Sequence, residues 1–163
     1  MQFKKIIAAI DLDDDLADGV INAAVSLAQK DGAILEIVSV WPLMSTMAPA
    51  FSTDVAVSSV VVTENVIEMH KQGRRESQEK LDAQCARLAP NATAVLLDGD
   101  PAGAVTEHAK EIDADLIVTG SHQRNFLSSI FQGSASRDLV KEAPCAVFLV
   151  TKAYADKQAG RPD

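Results

Sequence analysis

The sequence is poor in cysteine, in basic residues and in long apolar runs. It has two cysteines in 163 residues, Cys85 and Cys145, with no CxxC spacing and no histidine at ligand spacing. This pattern favours buried, reduced thiols over a disulfide or a cysteine-based zinc site. Fifteen Lys and Arg residues against 23 Asp and Glu residues give a net charge of −8. Such a field repels nucleic-acid backbones and anionic lipid surfaces, so neither is an expected partner.

No segment of the sequence is predicted to cross a bilayer as a helix. The longest uncharged apolar stretches are residues 6–10, 94–97 and 147–150, whereas a membrane-spanning helix needs about 20 apolar residues. Near the N-terminus, Lys4 and Lys5 are soon followed by acidic residues at 11 and 13–15, so no apolar core of a signal peptide develops. We therefore expect a cytoplasmic protein.

Common motifs of catalysis and phosphate binding are also missing. The sequence contains no GxSxG elbow, no GxxxxGK[ST] loop and no GxGxxG after the first apolar run. His70, His108 and His122 are too scattered to nominate a metal site, and the first two fall in predicted helices, where a solvated or capping role is expected. Because no base or nucleophile stands out, we nominate no catalytic residue and the sequence favours binding over efficient catalysis.

Apolar and amphipathic segments alternate along the chain. The predicted strands cover residues 3–11, 33–40, 92–97, 115–119 and 146–151, and the predicted helices cover residues 16–29, 63–89, 101–112 and 134–143. Continuously apolar strands separated by helices indicate a single α/β domain, residues 1–152, built on a doubly wound five-stranded parallel sheet. Residues 43–62 have no regular period, and residues 153–163 are expected to form a flexible, frayed polar tail.

The segment after the fourth predicted strand is the strongest candidate for ligand binding. Gly120 ends the strand, and Gly133 followed by Ser134 opens the next predicted helix. The unpaired N–H groups and partial positive charge of a helix start suit a phosphate, and Arg124 and Arg137 are nearby cations. From spacing alone, an equally good interpretation is that Gly120 turns the chain and Ser134 caps the helix.

This segment resembles the C-terminal signature of the universal stress protein family. The resemblance includes residues 143–145 before the last strand, Asp11 at the end of the first strand and residues 99–101 before a helix, and it covers residues 3–151. It implies a Rossmann-like sandwich of the adenine nucleotide alpha-hydrolase type, adenine-nucleotide binding, and a homodimer. The dimer would form through the last strand, here Val147, Phe148, Leu149 and Val150, whose exposed apolar edge would otherwise be a liability.

The resemblance also implies which residues bind the nucleotide. Asp11 would lie by the ribose, and Ile10 and Val40 would contact adenine through their backbone. The implied residues are Ile10, Asp11, Val40, Gly120, His122, Gln123, Arg124, Gly133, Ser134 and Ala135. The implied ligand is ATP, or ADP or AMP, with or without Mg²⁺. For Asp11 and Val40, the structural alternatives are the capping of a turn and core packing.

One position departs from the family pattern. Nucleotide-binding members have a glycine where this chain has Gln123. A side chain there adds bulk and a conformational cost that glycine does not have. We therefore expect a reduced affinity for triphosphate or a preference for a mono- or diphosphate.

Three functions are compatible with these observations. The first is a stress-responsive regulatory module that binds an adenine nucleotide and hydrolyses it slowly at most. The second is a dimeric interaction protein of the same fold without a nucleotide. The third, more distant, is a phospho-acceptor receiver domain, because Asp11, Asp98, Thr119 and Lys152 follow or end strands as the functional residues of such a domain do. The long 120–133 loop and Ala153 after the lysine count against it, but the sheet topology is not expected to separate it from the other two.

Overall fold

In the computed structural model, which describes residues 2–43, 64–121 and 142–160, helices and strands alternate. The elements are β1 Lys5–Ala9, α1 Ala17–Asp31, β2 Ile34–Trp41, α2 Glu64–Leu88, β3 Thr93–Asp98, α3 Pro101–Glu111, β4 Leu116–Gly120, β5 Ala146–Val150 and α4 Lys152–Gln158. Each strand agrees with its predicted range to within two residues. Most of the predicted 43–62 loop and of the predicted 134–143 helix lies outside the described residues.

The five strands form one parallel sheet in the order β3-β2-β1-β4-β5. The chain winds from β1 through β2 to β3 on one side, and β4 and β5 then lie on the other side of β1. The predicted single-domain, doubly wound fold is therefore confirmed. The strand order reverses between β1 and β4, and in sheets of this kind ligands bind beyond the carboxyl ends of the strands near that point.

The central strand is buried on both faces of the sheet. Ile6 and Ala8 pack in one core cluster with residues of α1 and α2, whereas Ile7 and Ala9 pack in a second cluster with residues of α3. Because alternate side chains both meet a helix layer, the strand has a continuous apolar sequence. This is why hydrophobicity alone could locate it.

The strand order distinguishes this fold from that of a receiver domain. The expectation that sheet topology would not distinguish the two was therefore wrong. Receiver domains have the order 2-1-3-4-5, with the third strand beside the first. Here β3 is an edge strand and β2 lies between it and β1. Asp98 at the end of β3 is therefore two strands away from the strand that leads to Asp11. The topology thus removes the arrangement on which the receiver interpretation depended.

The chain continues after β5 into the short helix α4, which the expectation of a frayed tail did not include. The Thr151 hydroxyl caps this helix and accepts a hydrogen bond from the Tyr154 N–H at 3.2 Å. The helix packs against α1 at Gly19, where an added Cβ would lie 2.7 Å from the Cβ of Ala155. The packing of this helix depends on Gly19, which is far away in the sequence, so the local composition did not predict the helix.

The two cysteines are free thiols, Cys85 buried and Cys145 half-buried. Burial is the largest cause that raises the pKa of both thiols, so both stay protonated at neutral pH. Within the described ranges, none of the helices has both the length and the apolar character that a bilayer crossing requires.

Candidate functional site

A cavity of about 310 Å³ lies at the carboxyl ends of β1, β2 and β3. This volume is at the lower end of the range of about 300–1,000 Å³ that is usual for small-molecule sites. Its lining comes from both loops and regular elements: Ile10, Asp11, Leu12, Asp13, Ser39, Val40, Trp41, Pro42, Ser77, Lys80, Leu96 and Pro101. The cavity lies at the edge of the sheet where doubly wound folds bind their ligands.

Three neighbouring strands supply the floor of this cavity. Ser39 is the register partner of Leu96, and the pairing of Ala9 with Val38 places Ile10 beside Ser39 on the other side. Register partners in parallel strands point to the same face of the sheet. The floor is therefore a row across the sheet, apolar at both ends with one hydroxyl in the middle.

Helix α2 packs over this row, and positions four residues apart on α2 lie level with positions two residues apart on β2. Two residues of a strand rise about 6.6 Å and four residues of a helix about 6 Å. At one step, Trp41 lies against Gly73, where an added Cβ would be 2.8 Å from the indole Cη2. Two steps further along α2, Leu81 is fully buried in the same core cluster as Ile37. Large side chains thus fill the layers on either side of the cavity.

The layer between them is occupied by two serines. Ser39 of β2 and Ser77 of α2 both line the cavity, and they come two residues before Trp41 and four residues after Gly73. The cavity exists at this level because neither element contributes a side chain large enough to fill it.

Trp41 is held in place as a wall of the cavity. Its indole N–H donates a hydrogen bond to Nε2 of His70 at 2.8 Å, and the same ring nitrogen lies 3.0 Å from the Pro42 carbonyl oxygen. His70 is therefore a packing and hydrogen-bonding residue rather than a solvated one. His108 is likewise engaged, with Nε2 at 2.7 Å from a carboxylate oxygen of Glu36, so both histidines make tertiary contacts that their place in a helix did not predict.

The rim of the cavity is acidic and carries one lysine. Oδ1 of Asp11 accepts a hydrogen bond from the Asp13 N–H at 3.0 Å, which fixes the turn after β1. Lys80 of α2 reaches over to Oδ1 of Asp13 at 3.3 Å, and both side chains are exposed. An exposed pair of this kind stabilises the fold by at most about 1 kcal/mol, so Lys80 can exchange Asp13 for another anion at little cost.

Asp98, at the end of β3, forms a structural ion pair with Arg74. Its two carboxylate oxygens accept hydrogen bonds from Nε and a terminal nitrogen of Arg74, each at 2.8 Å. This bidentate contact is the largest cause that lowers the pKa of Asp98, so the group stays ionised at neutral pH. The pair fastens α2 to the end of the edge strand.

The structure brings three of the residues implied for nucleotide binding to one place. Ile10, Asp11 and Val40 line the 310 Å³ cavity. The side chain of Val40 packs in the core cluster of the opposite face, so Val40 meets the cavity with its main chain. Gly120 lines a much smaller cavity of about 10 Å³, together with Ile10 and Asp11. The remaining implied residues, His122, Gln123, Arg124, Gly133, Ser134 and Ala135, lie outside the described residues.

Sequence reasoning did not find several residues that line the cavity. Ser39 and Leu96 sit within predicted strands, and Ser77 and Lys80 sit within a long, polar predicted helix. One signal was available for Ser39, because it is a lone hydroxyl in the otherwise apolar carboxyl half of β2. The helix residues could not be found without the packing of α2 on β2.

In the three described ranges, no group of three or more His, Cys, Asp or Glu side chains is arranged to hold a metal ion. The cavity is lined by apolar side chains, the hydroxyls of Ser39 and Ser77, the carboxylates of Asp11 and Asp13 and the amine of Lys80. We assign no residue of this set to Mg²⁺.

Comparisons with known proteins agree with this description of the fold. A universal stress protein of Synechocystis sp., Sll1388, is 28% identical over 157 residues, which cover 92% of this chain and 99% of that protein. The universal stress protein YxiE of Bacillus subtilis is 29% identical over 148 residues, 91% of this chain and 99% of that protein. A shorter match of 79 residues, to a universal stress protein of Thermus aquaticus, is 43% identical and covers 47% of this chain and 58% of that protein.

Solved structures show the same fold at low identity. A universal stress protein from Lactobacillus plantarum superposes with a TM-score of 0.60 at 22% identity, over 92% of this chain and 99% of that one. A universal stress protein from Archaeoglobus fulgidus in complex with dAMP has a TM-score of 0.55 at 22% identity. The match covers 91% of this chain and 98% of that one. Another universal stress protein, in complex with cAMP, has a TM-score of 0.55 at 18% identity. The match covers 92% of this chain and 98% of that one. The model of the universal stress protein family matches residues 2–151, and this chain therefore belongs to the universal stress protein family.

Proposed function

We propose that the protein binds an adenine nucleotide, ATP or ADP or AMP, and that it acts as a stress-responsive regulatory module with at most slow hydrolysis. The base would occupy the 310 Å³ cavity. The observation that carries the proposal is the make-up of this cavity, which combines an apolar floor and an aromatic wall with hydroxyls and charged groups. A nucleobase has the matching chemistry, with apolar faces and hydrogen-bonding edges.

The ribose and phosphates are assigned by resemblance to the family. Asp11 lies on the rim of the cavity, where its carboxylate would accept hydrogen bonds from ribose hydroxyls. Gly120 at the end of β4 would begin the phosphate-binding segment, which continues through His122, Gln123, Arg124, Gly133, Ser134 and Ala135. The relatives solved with dAMP and cAMP support an adenine nucleotide as the ligand class. Retention of ATP in particular would depend on the loop that contains Gln123.

The regulatory part of the proposal includes a homodimer in the cytoplasm. β5 is an edge strand of the sheet, and Phe148 and Leu149 on it are 37% and 41% exposed. Pairing of this edge with a second copy would cover both side chains and satisfy the outer backbone groups of the strand. The free thiols of Cys85 and Cys145 suit a reducing compartment.

A cavity-filling variant tests the proposal. Ser77→Phe places a ring in the cavity, so we expect binding of AMP and ATP to weaken at least about tenfold, that is by about 1.4 kcal/mol. Isothermal titration calorimetry, with and without Mg²⁺, measures the loss. Glu79→Phe is the matched control, because Glu79 is exposed on the same helix and does not line the cavity, and it should bind like the unmodified protein.

Mass spectrometry of the small molecules released by heating the purified protein adds an independent readout. An adenine nucleotide in the released fraction supports the proposal. If nothing is released and none of AMP, ADP and ATP gives a calorimetric response, the proposal is wrong, and the alternative of a dimeric interaction protein without a nucleotide is favoured.

A further inference from the structure

The hydroxyl of Ser39 is a polar group without a partner on an apolar floor. Ser39 is 4% exposed, and among the described residues no hydrogen bond to its Oγ is found. Its neighbours in the sheet, Ile10 and Leu96, are apolar. Its Oγ is not among the fully enclosed polar side-chain atoms without a partner, of which the described residues have one, Oγ1 of Thr119, so the hydroxyl opens onto the cavity that Ser39 lines. A polar group of a ligand in the cavity can therefore reach it.

The surroundings of Ser39 define the shape of such a ligand. Large side chains fill the layers above and below, where Trp41 meets Gly73 and Leu81 packs with the cluster of Ile37. The open layer therefore lies between β2 and α2, with large side chains on both sides of it along the strand. A flat heterocycle placed in this layer would have its faces against those side chains and one edge towards the Ser39 hydroxyl.

We propose that Ser39 is a specificity-determining residue, whose hydroxyl hydrogen-bonds one polar edge group of the bound base. This inference rests on the proposed function, because it takes the cavity to be the base site. The hydroxyl can donate to a ring nitrogen or accept from an amino group. A base that lacks the matching group leaves both partners unpaired, so the protein discriminates against it.

Two serine variants separate this role from a structural one. Ser39→Ala should weaken AMP binding by about three- to tenfold, which corresponds to one hydrogen bond of about 0.7–1.4 kcal/mol. Ser26→Ala is the matched control, since the exposed Ser26 hydroxyl bonds to the Asn22 carbonyl within α1, away from the cavity. The thermal midpoint of ligand-free Ser39→Ala should stay close to that of the unmodified protein, because the substitution breaks no hydrogen bond within the described residues.

Analogues of AMP identify the edge group. The probes are the 1-deaza, 3-deaza and 7-deaza derivatives of AMP and purine riboside 5′-monophosphate, each of which lacks one hydrogen-bonding group of adenine. For one of these probes the unmodified protein should already bind weakly, and Ser39→Ala should cause no further loss. The other probes should show the same loss on Ser39→Ala as AMP does.

Each outcome decides between the two proposals. If the unmodified protein and Ser26→Ala bind no AMP, the proposed function fails and the role of Ser39 fails with it. If they bind AMP and Ser39→Ala binds it equally well, the proposed function stands and the inference about Ser39 is overturned. A loss of equal size for AMP and all four analogues also overturns it, because the effect would then come from packing and not from a hydrogen bond.

Discussion

Single residues fasten distant parts of the chain together, and Asp115 is the clearest case among the charged ones. Its carboxylate accepts hydrogen bonds from the backbone N–H groups of Lys4 and Lys5 at 2.7 and 2.8 Å. These backbone bonds are the largest causes that lower the pKa of Asp115. The residue before β4 therefore holds the beginning of β1 more strongly when it is ionised.

We expect Asp115→Asn to reduce the dependence of stability on acid pH. A carboxylate with a lowered pKa in the folded state contributes stability above its unfolded pKa of about 3.9, and this contribution is lost as the pH falls through the folded value. The unmodified protein should lose this contribution progressively as the pH falls below about 5, whereas the variant lacks it throughout. Thermal unfolding over this pH range measures the difference in slope.

Asp113→Asn is the control for this comparison. Asp113 is exposed and has a left-handed φ of 54°, which asparagine also tolerates. It should keep the slope of the unmodified protein. Equal slopes for both variants would show that the contacts of Asp115 do not govern the acid dependence.

At the residue scale, the sequence predicted only part of the cavity lining. The resemblance to the family implied Ile10, Asp11 and Val40, and these residues do line the cavity. It did not identify Ser39 or Ser77, since their proximity depends on how α2 packs over β2.

At the scale of elements, the contact of Trp41 with Gly73 sets how closely α2 approaches the sheet. Gly73→Ala should raise intrinsic helix stability by about 1 kcal/mol. However, the new Cβ would lie 2.8 Å from the indole Cη2, and His70 holds this indole in place. We therefore expect the substitution to lower the free energy of unfolding by about 1 kcal/mol, as measured by chemical denaturation.

A second background separates the two opposing effects. In Trp41→Phe the smaller ring leaves room for the Cβ, so Gly73→Ala should there stabilise the protein, in line with helix propensity. A destabilisation of the same size in both backgrounds would mean that the indole is not the cause.

The elements themselves were largely predictable. Apolar runs identified all five strands, because these strands are covered on both faces or lie next to strands that are, and helical spacing identified α1, α2 and α3. Helix α4 could not be predicted, since it contains few apolar residues and its place depends on the absence of a side chain at Gly19. The hydrophobic pattern predicts which segments are buried by neighbouring elements, but it does not predict single close contacts.

At the scale of the whole molecule, the strand order decided between functions that share a fold class. Alternation of strands and helices predicts a doubly wound sheet but does not fix which strand lies at the edge. The observed order puts β3 at one edge and β5 at the other. Asp98 is consequently bound to Arg74 at the periphery, away from the centre where a phospho-acceptor would be needed.

We expect the β5 edge to form the dimer, and Leu149→Lys tests this. A charged side chain at an exposed edge position opposes strand pairing between copies, so the dimer should weaken at least about tenfold, by about 1.4 kcal/mol. Sedimentation velocity over a concentration series measures the change. Thr93→Lys is the control, because Thr93 is exposed on the opposite edge strand. A protein that is monomeric throughout, or a dimer unaffected by Leu149→Lys, would contradict the expectation.

The position of Trp41 has a practical consequence. It is the single tryptophan of the chain, and it forms a wall of the cavity with its indole N–H bonded to His70. Tryptophan emission from this protein therefore reports on one place only, the one where the ligand is proposed to enter. Occupancy can be followed by the emission of the unlabelled protein, and a screen of unknown cell metabolites needs no engineered probe.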